Sequence, residues 1–168
     1  MAVDNPTRPL SGAAFRWKTL SVYLILAVAA FHQFQFLSMH WIPHDDGSLA
    51  LAAWRMNEGD VLYRDILPVY NGGMDYFHAL LFKIGGTDFM TLRIGLWATS
   101  ILAVLFLTRT YLRELSWPES ILLTVACMFW GPGNYPAPMP SWYNLFLAML
   151  AYAVITTGAK PYSRSRWF

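Results

Sequence analysis

The sequence predicts an all-α integral membrane protein with four transmembrane helices and an outer-face loop that carries two juxtamembrane helices. Hydrophobic residues make up 56% of the 168 residues and charged residues only 13%, against about 25% charged in an ordinary soluble domain. Apolar runs of about 20 residues recur, and such a run crosses a hydrocarbon core about 30 Å thick. Lys and Arg flank these runs without forming a dense basic block, so we expect no nucleic-acid partner.

The apolar runs predict four spans within a single membrane domain of residues 1–168. The first run is too long for a removable signal and lacks a small-residue cleavage site, so we expect a retained anchor. The third run has about 14 residues and crosses only with little tilt or with local thinning of the bilayer. The spans are predicted at residues 20–39, 89–112, 117–130 and 142–157.

The distribution of charge predicts the topology. Lys and Arg near span ends resist translocation, whereas Asp and Glu have little effect. A cytoplasmic N-terminus at residues 1–19 and a cytoplasmic tail at 158–168 place eight of the twelve basic residues inside and seven of the ten acidic residues outside. The inside set is Arg8, Arg16, Lys18, Arg109, Arg113, Lys160, Arg164 and Arg166. We expect both termini in the cytoplasm and the protein in a bacterial inner membrane.

Two loops then face outward. The first, at residues 40–88, contains predicted surface helices at about 46–57 and 74–84. The latter is about 11 residues long and carries charged side chains, which favours an interfacial helix over a span. The second loop, at residues 131–141, holds glycines and Pro136, Pro138 and Pro140, which are incompatible with a regular helix.

The residues most suggestive of chemistry are His44, Asp45 and Asp46, just after the first span. Two adjacent carboxylates near a low-dielectric boundary can provide a general base with an electrostatic partner. With His44 they could instead bind a divalent cation. A third interpretation is structural, because acidic residues favour the exposed N–H groups at a helix start. The sequence leaves these three alternatives open.

A second motif follows in the same loop. Gly59 precedes the turn Tyr63-Arg64-Asp65, and Pro68 precedes the second surface helix. Glycine and proline favour turns here, while Arg64 can pair with Asp65 or hold a phosphate with two hydrogen bonds.

The order of these motifs over residues 20–159 resembles the GT-C class of polyprenyl-phosphate-sugar glycosyltransferases, which includes protein O-mannosyltransferases and lipid A aminoarabinose transferases. The resemblance implies that Asp45 or Asp46 is the catalytic base that deprotonates the acceptor. It also implies a lipid-linked sugar as substrate. Substrate-contacting roles are implied for Arg64, Asp65 and Arg93. From residue type alone, Tyr143 can stack on a sugar ring and Asn144 can hydrogen-bond a substrate. The chain matches the front half of such enzymes, so we expect activity to need a partner chain.

A different class of function competes with this one. Where the family commonly has a further acid, the chain has Asn144, which cannot act as a base. A non-catalytic accessory subunit of a larger membrane complex, for example a respiratory or photosynthetic one, would contact lipids and other membrane subunits. His32 in the first span could ligate haem or a chlorophyll magnesium, but we expect it to contact a neighbouring helix instead.

Overall fold

The protein is all-helical in the part that the structure describes. This computed structural model describes residues 12–40, 42–70, 72–112, 115–129, 131–132 and 134–158. Within them no strand forms, and an isolated bridge pairs Leu62 with Ile66. The predicted fold class is confirmed at this level. The helices are α1 (Gly12–Phe36), α2 (Pro43–Asn57), α3 (Gly73–Gly85), α4 (Phe89–Tyr111), α5 (Trp117–Phe129) and α6 (Pro140–Gly158).

Two of these helices are long and apolar enough to cross a membrane. They are α1 with 25 residues and α4 with 23 residues. The apolar α5 has only 13 residues. The 19-residue α6 is long enough, but Pro, Tyr and Asn in its first turns lower its mean hydropathy. Length and composition therefore support two of the four predicted spans.

Two of the helices predicted as spans begin earlier than predicted, because residues before the apolar run are also compatible with a helix. α1 begins at Gly12 rather than at residue 20, because Arg16 and Lys18 are good helix formers. α6 begins at Pro140, inside the loop predicted at 131–141, because the first turn of a helix tolerates proline. The terminal segments predicted to be cytoplasmic lie outside the described residues at 1–11 and 159–168.

Helix α4 is central and contacts each of the other five helices. Alanine, leucine and valine side chains form most of the interfaces around it, and the small alanines let the helices approach closely. One cluster joins α1, α4 and α5, a second joins α2, α3 and α4, and a third joins α4 and α6. Their buried members are Leu26, Ala29, Ala30, Val104 and Met128; Ala50, Ala53, Ala79, Phe82 and Leu92; and Leu96, Ala103, Tyr143 and Phe146.

Polar contacts show how the long helices run. The buried Lys18 ammonium, near the start of α1, donates to the carbonyl of Leu112 at 2.6 Å and also to that of Leu115. Farther along α1, the indole N–H of Trp97 donates to the carbonyl of Ala30 at 3.0 Å. α1 is thus antiparallel to α4, and the starts of α4 and α6 lie at the end of the bundle where α1 finishes. We call this the α2–α3 end, since those two short helices cover it.

Candidate functional site at the alpha2-alpha3 end

The adjacent acids Asp45 and Asp46 occupy different environments on the first turn of α2. The Asp46 side chain is only 1% exposed and lies 2.6 Å from the Arg93 guanidinium. The same carboxylate accepts a hydrogen bond from the backbone N–H of Ile42 at 3.1 Å, which satisfies a free donor where α2 begins. Asp46 therefore holds the start of α2 against α4.

Arg93 completes this link, and all of its N–H donors are used in hydrogen bonds. A guanidinium carries five N–H groups. Two of them reach the Asp46 carboxylate at 2.6 and 3.3 Å, and the other three reach the carbonyls of Leu37, Met39 and His40 at 2.6, 2.9 and 3.1 Å. Arg93 thus closes off the carbonyls that follow α1, and in this arrangement it has no N–H left for a substrate phosphate.

Asp45 is half-buried and faces the proline-rich loop between α5 and α6. Its carboxylate accepts a hydrogen bond from the Tyr135 hydroxyl. That hydrogen bond, with burial and nearby negative charge, raises the pKa of Tyr135 to about 12, so the phenol stays a neutral donor at physiological pH. The Tyr135 carbonyl accepts from the Trp142 indole at 3.1 Å. Asp45 is therefore the member of the pair that solvent reaches.

The possible metal ligand His44 is exposed beside this pair. Among the described residues, no group of three or more His, Cys, Asp or Glu side chains is arranged to hold a metal ion. The structure thus adds no further ligand to the divalent-cation alternative.

The Tyr63-Arg64-Asp65 turn forms its own network away from the pair. Arg64 and Asp65 make an exposed ion pair at 2.7 Å, and Asp65 also accepts from the Val61 N–H at 2.8 Å. These two hydrogen bonds lower the pKa of Asp65 to about 2. Tyr63 has a positive φ of 67°, and its hydroxyl accepts from the Gly72 N–H at 3.1 Å. In the described contacts, Arg64 and Asp65 do not touch Asp45.

Tyr143 and Asn144 line a groove of about 710 Å³ between α3, α4 and α6. The walls are largely apolar, and the exposed Asn144 contributes an amide. Tyr70 and Pro140 also line the groove, and Pro140 ends the loop that carries Tyr135. The groove therefore extends toward the loop that contacts Asp45.

The buried side of α3 carries two polar groups that the sequence did not mark as site residues. His78 is fully buried, and its Nε2 lies 3.3 Å from the Tyr143 hydroxyl. Its Nδ1 and the Oδ2 of Asp75 are buried without a hydrogen-bond partner in the described structure. Burial lowers the pKa of His78 to about 4 and raises that of Asp75. Their three-residue spacing on one helical face was the available signal.

His32, considered above as a pigment ligand, contacts two neighbouring aromatic rings at tilted angles. Its ring centroid lies 4.7 Å from that of Phe36 and 5.9 Å from that of Phe129 on α5. The expected helix contact is therefore present.

Comparison of this chain with protein-family models, curated proteins and solved structures finds no significant match.

Proposed function

We propose that this chain is a membrane protein that transfers a sugar from a polyprenyl phosphate to an acceptor hydroxyl at the outer membrane face. In this proposal α1, α4, α5 and α6 cross the bilayer, and the α2–α3 end faces outward. The observation that carries the proposal is that the two acids lie in different environments. Asp46 is neutralised by Arg93, whereas Asp45 keeps a solvent-accessible carboxylate.

Asp45 is suited to act as the base. The acceptor oxygen attacks C1 of the sugar while the Asp45 carboxylate takes the hydroxyl proton. The bond between C1 and the phosphate oxygen breaks, its electron pair stays on the departing polyprenyl phosphate, and the configuration at C1 inverts. Tyr135 holds the carboxylate from the loop side and leaves its remaining lone pairs for the acceptor.

The groove is suited to an extended apolar chain. Its lining is mostly apolar, and Pro140 places one end of it at the loop that carries Tyr135. A lipid tail in this groove would bring its phosphate to the membrane boundary beside Asp45. This placement fits a lipid-linked donor better than a free nucleotide sugar.

The phosphate needs a cation. Arg93 has no free N–H in the described contacts, and Arg64, whose side chain is 69% exposed, lies in a turn bound by Arg55, ten residues along α2 from Asp45. The proposal therefore includes a partner chain that supplies the cation for the phosphate beside Asp45.

Transfer of label tests the proposal. Membranes containing the protein would be supplied with synthetic decaprenyl phosphates carrying tritiated mannose, glucose or 4-aminoarabinose. We expect label in an acceptor with the unaltered chain, and at least a hundredfold lower rate with Asp45→Asn, the usual scale for losing a general base. Glu58→Gln is the matched control, since it removes one exposed carboxylate at the opposite end of α2. Equal rates for Asp45→Asn and the unaltered chain would exclude Asp45 as the base.

A non-catalytic subunit is the second candidate. It is favoured by Phe31 and Phe34 on α1, which are 65% and 46% exposed and could contact another membrane protein. Purification in a mild detergent separates the two functions. Stoichiometric recovery with a larger complex, without binding of labelled decaprenyl phosphate, would support the subunit and contradict the enzyme.

A further inference from the structure

A second, smaller pocket lies between α1, α5 and the loop after α5, on another side of the bundle from the groove. Its volume is about 250 Å³. The rings of His32, Phe36 and Phe129 give it aromatic walls, and Gln33 and Asn134 supply amide groups. Apolar walls with a few converging polar groups are the usual form of a small-molecule site.

Gln33 gives this pocket a buried polar atom that lacks a hydrogen-bond partner. The residue is only 3% exposed, and its amide nitrogen donates to the Met128 carbonyl. That contact fixes which way the amide faces, because the alternative would set two oxygens against each other. The amide oxygen then remains buried with no hydrogen-bond partner in the described structure. A buried polar atom without a partner destabilises the fold unless something donates to it.

The loop is shaped to keep this geometry. A Cβ added to Gly131 would lie 3.2 Å from the Gln33 amide nitrogen and 3.3 Å from the Met128 carbonyl oxygen. Asn134, three residues on, donates to the Phe129 carbonyl at 2.8 Å and so fixes the loop over the end of α5. Its neighbour Tyr135 is the residue that contacts Asp45. The pocket and the proposed base are thus joined by two consecutive loop residues.

We infer that this pocket binds one sugar ring. Aromatic faces suit the C–H faces of a pyranose, while the hydroxyl groups around its rim can donate to the Gln33 oxygen and accept from Asn134. The inference rests on the proposed function for the choice of a sugar as ligand. The pocket itself is defined by its own residues, and the site is separate from the lipid groove.

Ligand-observed NMR in phosphatidylcholine nanodiscs tests this inference without turnover. The probes are methyl α- and β-glycosides of glucose, mannose, galactose and arabinose, with glycerol as a polyol without a ring. We expect saturable binding of at least one glycoside and none of glycerol. Gln33→Leu should weaken that binding about five- to tenfold, the value of one hydrogen bond. Gln35→Leu is the matched control, because Gln35 lies two residues along the same helix and is exposed.

Asn134→Ala provides a second test on an exposed side chain, in case Gln33→Leu fails to fold. Weaker binding in this variant supports the inference. Unchanged glycoside affinity in both variants, or equal binding of glycerol, would overturn it and would leave water as the partner of Gln33. Asp45→Asn should keep glycoside binding while losing transfer. Glycoside binding without any transfer would therefore reject the proposed function alone, and transfer that survives Gln33→Leu with unchanged affinity would reject the sugar pocket alone.

Discussion

At the scale of single residues, Asp45 and Asp46 show how neighbours of identical chemistry acquire separate roles. A one-residue step on a helix rotates the side chain by about 100°. Asp46 consequently points into the bundle toward Arg93, while Asp45 points toward Tyr135 in a loop. The structural interpretation of the acidic pair is therefore supported for Asp46 by its contacts, whereas the role of Asp45 as a base stays a prediction.

The Asp46–Arg93 pair should be important for stability. Asp46→Asn would leave the buried Arg93 without its counter-charge, and breaking a buried pair from one side typically lowers the free energy of unfolding by about 3–5 kcal/mol. Asp60→Asn is the matched control, since Asp60 pairs with Arg55 at the same 2.6 Å but both side chains are more than a third exposed. There we expect a loss below about 1 kcal/mol. Reversible unfolding in detergent measures both, and similar losses for the two variants would contradict the assignment.

At the scale of elements, α3 carries a polar group on the face that packs against the bundle. Its buried face packs Ala79 and Phe82 on α2 and α4. The same side carries His78, which meets Tyr143 of α6. The helix is attached to the bundle by apolar packing, by this contact, and by hydrogen bonds from Asn57 and Thr91 to the carbonyls of Ala79 and Gly85. Its stability should therefore depend on the protonation of His78.

Acid should weaken the attachment of α3. Burial in the folded protein lowers the pKa of His78 to about 4, below the ordinary value of 6.5. Between pH 6.5 and pH 4, His78 is therefore protonated in the unfolded chain but neutral in the folded chain. The contribution of neutral His78 to stability is complete above pH 6.5 and falls as the pH drops toward 4, by roughly 3 kcal/mol in all.

Comparison with His78→Gln isolates this effect, because the raised pKa of Asp75 acts in both chains and cancels. The unfolding free energy of the unaltered chain, measured relative to the variant, should decline between pH 7 and pH 4. A difference that stays constant over this range would show that His78 does not titrate as expected.

At the scale of the whole molecule, the direction of the helices is fixed by polar contacts at both ends. Lys18 binds the carbonyls of Leu112 and Leu115 at one end, and Arg93 binds the carbonyls after α1 at the other. Each cation satisfies backbone oxygens where regular helical bonding stops, which is the role such ends require. This arrangement is compatible with the four-span topology proposed above.

Cysteine labelling decides that topology. In a Cys127→Ser background, single cysteines would replace the exposed residues Leu67, Ser116 and Asn134 and be treated with a membrane-impermeant maleimide on intact cells. Four spans predict labelling at 67 and 134 from outside, and at 116 only after permeabilisation. If α5 and α6 do not cross, position 134 shares the side of 116. Labelling of 67 only after permeabilisation would place Asp45 in the cytoplasm and contradict the proposed function.

Local patterns were sufficient for the helical elements because hydrophobic runs and turn residues are short-range signals. The surface helices predicted at 46–57 and 74–84 appear as α2 and α3 with small shifts at their ends. Gln33 and Gln35 show the limit of this reasoning. These two glutamines have the same chemistry, yet Gln33 is buried and Gln35 is exposed, because positions two apart point to nearly opposite sides of a helix.

By itself, the sequence determined that the chain is helical and rich in apolar segments, since these properties follow from composition and periodicity alone. Tertiary structure decided which acid pairs with Arg93, which tyrosine reaches Asp45, and that Gln33 and Asn134 share a pocket. These contacts join residues 47 to 101 positions apart. Helix packing determines which of these residues meet, and the local sequence around each residue does not specify that packing.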